Sequence, residues 1–334
     1  MSDDSCDSFS GSYGVSTRRE YLRAVSATRR LRWSTQGFER RVMLSRKRLF
    51  LVVEGRRMDR PFYDSLLRSN DEARQGGYEI ILCEEVWTES GGKQSAVQIF
   101  DVLRRRGRLK QNTKRVQHCV AFALDADFDG VLSRKKHNPH IIYTEAHDVE
   151  AEVFVHGDLS RALCVSLSLT MSKASILANQ LTNFVEDLAL AWKEWITLCC
   201  LAAAMRSHSP LVRAHKPSTI NIDKYGGIDV AKLNTATADV RARKHPQTPA
   251  TIERWVRSRV EGMYKRSAHR TLVSGKSVPA YLHWRIEPLL GGDVVDLNSF
   301  QQTITHLMLT TVDFKDVWAS YYHDKFRDLL TNSS

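Results

Sequence analysis

LFLVVEG (49–55) and CVAFALDADFDG (119–130) are the two stretches whose reading decides the fold. Each is a short apolar run that stops abruptly on acidic residues, Glu54 in the first and Asp125 with Asp127 in the second. Unbroken apolar runs of this length, rich in Val, Leu and Phe, describe strands buried on both faces of a sheet. Two further runs fit the same template, YEIILCEE (78–85) and HIIYTE (140–145). Helical segments fall between them. One spans 59–69, with Asp59 as N-cap and Pro61 in the first turn. Another spans 93–106 after Gly91-Gly92, with Val97, Phe100, Val102 and Leu103 facing inward. Strand and helix in alternation predict an α/β fold, a Rossmann-like parallel sheet with helices on its faces and ligands at the carboxyl ends of the strands.

Outward from this core the pattern changes in both directions. Residues 1–15 are rich in Ser, Gly and Asp, a composition that predicts a disordered tail. Residues 16–46 are dense in arginine, interleaved with Tyr21, Leu22, Val25, Leu31 and Trp33, and predict a basic helical extension. Beyond Asp148 helical periodicity dominates, over 175–205, 251–265, 278–290, 299–309 and 314–330. The expected organisation is therefore a sheet unit over 47–155 and a mostly helical C-terminal unit over 156–334. A loop or short hairpin around Tyr225-Gly226-Gly227 interrupts the latter.

The chain has 334 residues, 42% of them hydrophobic, enough for a substantial core, and a net charge of +11 that would attract a polyanion such as nucleic acid. Cys6, Cys83, Cys119, Cys164, Cys199 and Cys200 form no C-x-x-C spacing, and the histidines form no HExxH motif, so a zinc site is not expected. The N-terminus does not read as a secretory signal, and a reducing, cytoplasmic setting is expected. The apolar stretch 188–205 is broken by Lys193 and Glu194 and reads as a buried helix, so no membrane partner is expected.

If the Glu54 and Asp125 strands are neighbours, three carboxylates converge. Crowded carboxylates repel, and a hard divalent cation such as Mg²⁺ or Mn²⁺ relieves that repulsion through oxygen ligands. Asp125 and Asp127 leave the strand end on one side with Ala126 on the other, so they can share an ion. Lys93 follows two glycines at a helix start and is a candidate for a charge against a phosphate. Asp148 and Glu150 after the fourth strand are candidates for a second ion, or equally for a helix N-cap and its first turn. Asp129 reads as a turn residue, and His147 as structural or a proton-transfer partner of Asp148. The basic run Arg104, Arg105, Arg106, Arg108 and Lys110, and the trio Arg134, Lys135 and Lys136, are candidate phosphate-backbone contacts. A solvated helix end is the alternative for the first of these.

VVEGRRMDRPFYDSLL, GGKQSAVQIF, ALDADFDGV and IIYTEAHDVEAEVF, taken in order, resemble the Toprim-containing family that supplies the effector subunit of the PARIS anti-phage defence system, a family related to the OLD-family Toprim nucleases. The resemblance covers about 49–154 well and the rest loosely. It implies a Toprim domain followed by a mostly helical domain, with Glu54, Asp125 and Asp127 as metal ligands. It further implies an Mg²⁺-dependent endonuclease, acting on RNA, tRNA included, or DNA, that is controlled by an ABC/AAA-type ATPase partner and active as a homodimer. In SGKSVPAYL (274–282), Lys276 stands where the family tends to carry a histidine, which departs from the pattern. Two other classes remain open: a catalytically silent interaction module with an acidic pocket, and another phosphoryl-transfer enzyme, either a primase-like polymerase or a phosphatase. A haloacid-dehalogenase-type phosphatase is disfavoured, because a Glu-bearing strand precedes the Asp pair.

Overall fold

The computed structural model describes residues 33–55, 57–86, 92–113, 116–205, 217–242, 249–290 and 297–331. The predicted tail and most of the basic extension lie outside them. The strands are β1 (Leu49–Val53), β2 (Tyr78–Leu82), β3 (Lys110–Asn112), β4 (Gln117–Leu124) and β5 (Ile141–Tyr143). β1, β2, β4 and β5 run parallel, and the short β3 pairs antiparallel with the start of β4. The order is β2-β1-β4, with β3 and β5 both on the outer edge of β4. The chain steps outward from β1 to β2, then crosses back to β4 on the other side of β1, so strand order reverses between β1 and β4. In open parallel sheets this reversal opens a crevice at the carboxyl ends of the strands.

Side chains alternate between two cores. Leu49, Leu51 and Val53 of β1 and Cys119, Ala121 and Ala123 of β4 face one core, while Phe50, Val52, Val120, Phe122 and Leu124 face the other. The second core is closed by α1 (Thr35–Leu44), through Phe38 and Val42, and by a later helix over 93–105. The first core begins with α2 (Asp59–Ser69) and continues without interruption into the C-terminal helices.

The remaining helices are α3 (Asp71–Gly76), α4 (Cys83–Val86), α5 (Lys93–Arg105), α6 (Val149–His156), α7 (Leu159–Ser166), α8 (Met171–Gln180), α9 (Phe184–Ala191), α10 (Lys193–Ala204), α11 (Val230–Arg241), α12 (Pro249–Lys265), α13 (Val278–Ile286), α14 (Leu297–Thr311) and α15 (Ser320–Thr331). The chain is thus α/β and mostly helical. α15 returns to the sheet unit, where the Arg48 guanidinium donates to the Leu330 carbonyl at 2.6 Å and Ser69 Oγ to the Phe314 carbonyl at 3.1 Å.

Several local expectations need correction. The second strand ends at Leu82, and Cys83–Val86 turns into helix. The inward stripe of α5 is Ala96, Ile99, Phe100 and Leu103, a 3.6-residue stripe that leaves Val97 and Val102 only partly buried. Met58, not Asp59, is the N-cap of α2, because the Asp59 carboxylate is used elsewhere. The stretch expected as one helix over 175–205 is broken, with helical segments ending at Gln180 and Ala191. Tyr225 lies in a small hairpin closed by the Asn221–Ile228 bridge. Among the described residues no helix is long and apolar enough to cross a membrane.

Candidate active site

β1 and β4 are paired in register, Val53 opposite Ala123, so both strands end at the same level of the sheet. Glu54 and Asp125 follow directly. The Asp125 N–H donates to Glu54 Oε1 at 3.0 Å, placing the two acidic strand ends in contact. Burial, outweighing the Lys93 charge and that hydrogen bond, pushes Glu54 up to about 7. Burial, followed by repulsion from Glu54, Asp148, Asp59 and Asp127, pushes Asp125 up to about 9.

Ala126 turns inward, its N–H on Thr144 Oγ1 at 2.8 Å, and Asp127 takes a left-handed φ of 44°. A non-glycine residue there costs on the order of 1–3 kcal/mol and is held by its surroundings. Here the Asp127 N–H donates to the His147 carbonyl at 2.8 Å. The Asp127 carboxylate meets Lys93 and faces His147, whose Nε2 lies 3.8 Å away.

Lys93 is the first residue of α5, launched from Gly92 at φ 79°, a conformation glycine adopts without strain. Its ammonium donates to the Asp125 carbonyl at 2.6 Å and pairs with Asp127 at 3.0 Å and Asp129 at 2.6 Å. Asp129, expected only as a turn residue, is therefore also part of the site. No sequence period signals it.

Two more buried groups were not anticipated. Asp59 Oδ2 accepts the Gly55 N–H at 2.7 Å, and a side chain at Gly55 would press within 2.8 Å of that carboxylate, so Gly55 is held by Asp59. The Tyr63 hydroxyl is buried with no hydrogen-bond partner among the described residues. Its pKa is driven well up by burial and then by the charges of Asp59, Asp125, Glu152 and Glu54.

Asp148 behaves as the N-cap of α6. Its Oδ1 accepts from Ala151 N at 2.8 Å and Gly275 N at 2.9 Å, and its Oδ2 from Ser274 Oγ at 2.6 Å. With both oxygens engaged, it staples the 274–277 loop of the helical half to the sheet unit. The fit is close, since a Cβ at Gly275 would lie 2.1 Å from Ala151 N. Lys276 is thereby brought beside the acidic groups, and the charges of Glu150, Asp148, Asp125 and Asp127 raise its pKa against burial. Glu150, in the first turn of α6, is pushed up to about 7 by burial and then by Asp148.

Asp148→Ala removes one cap and leaves two buried donors without a partner. It is expected to destabilise the protein by about 3 kcal/mol in urea unfolding. Unchanged stability with lost activity would instead assign Asp148 to an ion.

The basic candidates divide. Arg134 is occupied structurally, donating to the carbonyls of Ala203 and Ala204 at 2.8 Å each, at the end of α10. Lys136 pairs with Asp101 at 2.6 Å, and Lys110 lies in the edge strand β3. Lys135 makes no ion pair among the described residues and lies 5.1 Å from the centre of the Tyr143 ring, which Lys93 approaches at 5.6 Å.

Arg104 reaches Asp101 at 3.9 Å, Arg105 donates to the Asp101 carbonyl at 3.2 Å, Arg106 pairs with Glu39 at 2.8 Å, and Arg108 is exposed. Exposed pairs of this kind contribute ~0–1 kcal/mol and yield readily to phosphate. Neutralising Arg104, Arg105, Arg106 and Arg108 together is expected to make the slope of log affinity for duplex DNA against log salt shallower, by about 0.9 for each phosphate that the variant no longer neutralises. An unchanged slope would identify a solvated helix end.

Among the described residues no group of three or more His, Cys, Asp or Glu side chains is arranged to hold a metal ion. The described cysteines are all free. The donor chemistry of the site nonetheless suits a hard divalent cation: it consists of carboxylates, and Asp125 rises to about 9 through burial and then through its acidic neighbours. Lys93 is the counter-charge in this arrangement. No family model matches the chain, and no curated protein matches it.

Proposed function

We propose that this chain is a divalent-metal-dependent phosphodiester hydrolase of Toprim type, acting on nucleic acid. One observation carries the reading. Glu54 and Asp125, held together by a hydrogen bond, stand at the carboxyl ends of the two central strands where strand order reverses, with Asp127 and Lys93 alongside. Asp125 and Asp127 would hold the ion, with Glu54 either a third ligand or the general base, and the ion would supply Lewis acidity and a more acidic bound water.

The chain's own groups account for the remaining chemistry. Glu54, at about 7, is poised near neutrality to accept a proton from an attacking water. Lys93, anchored on the Asp125 carbonyl, places positive charge where negative charge grows on phosphate oxygens in the transition state. Asp59 fixes the Gly55 backbone, and Asp148 holds the loop carrying Lys276 against the site. The resemblance extends the proposal to a defence effector controlled by an ATPase partner, with RNA or DNA as target.

A second reading rests on Lys93, whose ammonium already satisfies Asp127 and Asp129. An acidic pocket neutralised from within fits a non-catalytic module that receives a partner's basic segment. Incubating the full chain, alone and with a co-encoded ATPase, with plasmid DNA and total RNA in Mg²⁺ or Mn²⁺ separates the two. Strand scission abolished by a chelator is the expected result. Intact nucleic acid under every condition, with the protein folded, would leave the module reading, and nucleotide incorporation or phosphate release without scission would favour another phosphoryl-transfer enzyme.

A further inference from the structure

The outer end of α13 carries a stack of aromatic rings that the acidic site does not use. Trp192 is buried, and its indole N–H donates to the Lys224 carbonyl at 2.8 Å. The Tyr225 ring lies nearly parallel to it, at 8° and 6.0 Å. Trp284 packs on Tyr225 at 4.9 Å and on Tyr281 at 5.8 Å and 25°. Trp192 and Tyr281 are buried and Tyr225 is partly buried, yet Trp284 at the top is 48% exposed. Large indoles are usually buried more fully, and one packed against the two rings of Tyr225 and Tyr281 has less rotamer entropy left to lose on binding.

Charges of both signs surround the stack, with one lysine beside the rings. Lys224 lies 5.2 Å from the Tyr225 ring centre and makes no ion pair among the described residues. Three acids lie near it in the chain: Asp187 pairs with Arg285 at 2.9 Å, Asp223 accepts the Tyr225 N–H at 2.7 Å within its hairpin, and Glu287 is exposed three positions beyond Trp284. An exposed ring beside an unpaired cation, on a chain of net charge +11, complements a flat, anionic polymer.

We infer that Trp284, supported by Tyr225 and Tyr281 and flanked by Lys224, is a stacking subsite for an unpaired nucleobase, which makes single-stranded nucleic acid, or a single-stranded segment within a folded one, the preferred substrate class. The stack is joined to the acidic site through the chain. The 274–277 loop fixed by Asp148 runs directly into α13, and Trp284 lies about 9 Å along the axis from the first residue of that helix, the rise of roughly three stacked bases. Every base has a π-face, so this subsite selects for strandedness rather than sequence.

This inference rests on the nucleic-acid part of the proposed function but not on cleavage. Binding of labelled oligo-dT, oligo-rU and a duplex of mixed sequence to the full chain tests it, with Trp284→Ala, Trp284→Phe and Lys224→Met as variants and circular dichroism to confirm folding. Trp284→Ala is expected to weaken single-strand binding by about 5-fold or more with the salt slope unchanged, because stacking releases no counterions. Duplex affinity should hold, and Trp284→Phe should restore most of the loss. Lys224→Met should flatten the single-strand salt slope by about 0.7. Unchanged single-strand affinity in Trp284→Ala overturns the subsite. Equal losses for single strand and duplex overturn it too, as does a shift in oligomeric state, which would make the indole a self-association contact. Single-strand binding without cleavage in Mg²⁺ or Mn²⁺ would remove the nuclease reading and leave the subsite standing. Cleavage of duplex by a protein that binds no single strand would do the reverse.

Discussion

Replacing Glu54 with Gln is expected to lower metal-dependent cleavage by at least ~100-fold while leaving the protein folded and as stable as before, or more so. The substitution is unusually clean because the contact that positions Glu54 survives it. Its Oε1 accepts the Asp125 N–H, and an amide oxygen in the same place accepts equally well. What disappears is charge. Burial holds Glu54 at about 7, so at pH 8 the native state carries an ionised, desolvated carboxylate beside Asp59 and Asp127. Removing it relieves the cost of burying the charge, which outweighs the attraction to Lys93 that is lost with it, and a thermal melt at pH 8 should show an unchanged or higher midpoint. Full activity in a folded Glu54→Gln protein would be incompatible with the proposed role of Glu54, and lost activity accompanied by unfolding would mean that the residue is structural.

The residues behind this expectation were legible because their signal is local. An apolar run that ends on Glu-Gly or Asp-x-Asp declares a strand and its acidic end within a few positions, and the register of β1 with β4 then brings Glu54 to Asp125. The residues that were missed act across long separations or against a local rule. Asp59 has the sequence position of an N-cap, yet its carboxylate serves Gly55 instead, a tertiary preference that overrides helix-start statistics. Asp129 was masked by Gly130 beside it, which reads as a turn; the same residue pairs with Lys93, 36 positions earlier in the chain, and no periodicity connects them. Lys276 is singled out in the sequence only by its departure from the family pattern, and its loop approaches the sheet unit because Gly275 lets two backbones meet and Asp148 ties them. Asp148 itself illustrates the ambiguity of a short motif: ligand and cap call for the same residue type, and only the three hydrogen bonds it accepts distinguish a cap from an ion ligand. The edge strand β3, three residues long, offers too few positions for an alternation to register.

Asp125 carries the strongest expectation for pH dependence. Its carboxyl rises to about 9 through burial and the surrounding carboxylates, against 3.8 for an ordinary aspartate. Between those two values the native state holds a proton that the unfolded chain has released, so the unfolded state binds fewer protons and stability must fall as pH rises. The contribution is complete below about pH 4 and is lost progressively through about pH 9, at up to ~1.4 kcal/mol per pH unit for a single group, with Glu54 adding a shorter decline that ends near 7. Metal-free wild-type protein should therefore melt at steadily lower temperature from pH 5 to pH 9. Asp125→Asn, which cannot ionise, should flatten that slope and melt above wild type at the alkaline end. The same crowding predicts the response to ions. Mn²⁺ added at pH 8 should raise the wild-type midpoint by neutralising the carboxylates, and should raise that of Asp125→Asn far less, since the variant has lost both the repulsion and a ligand. A wild-type midpoint that is flat across the range, or an equal Mn²⁺ shift in both proteins, would place the charge that matters somewhere other than Asp125. In that case the close approach of the two strand ends would be a packing feature of the sheet and not a site for a cation.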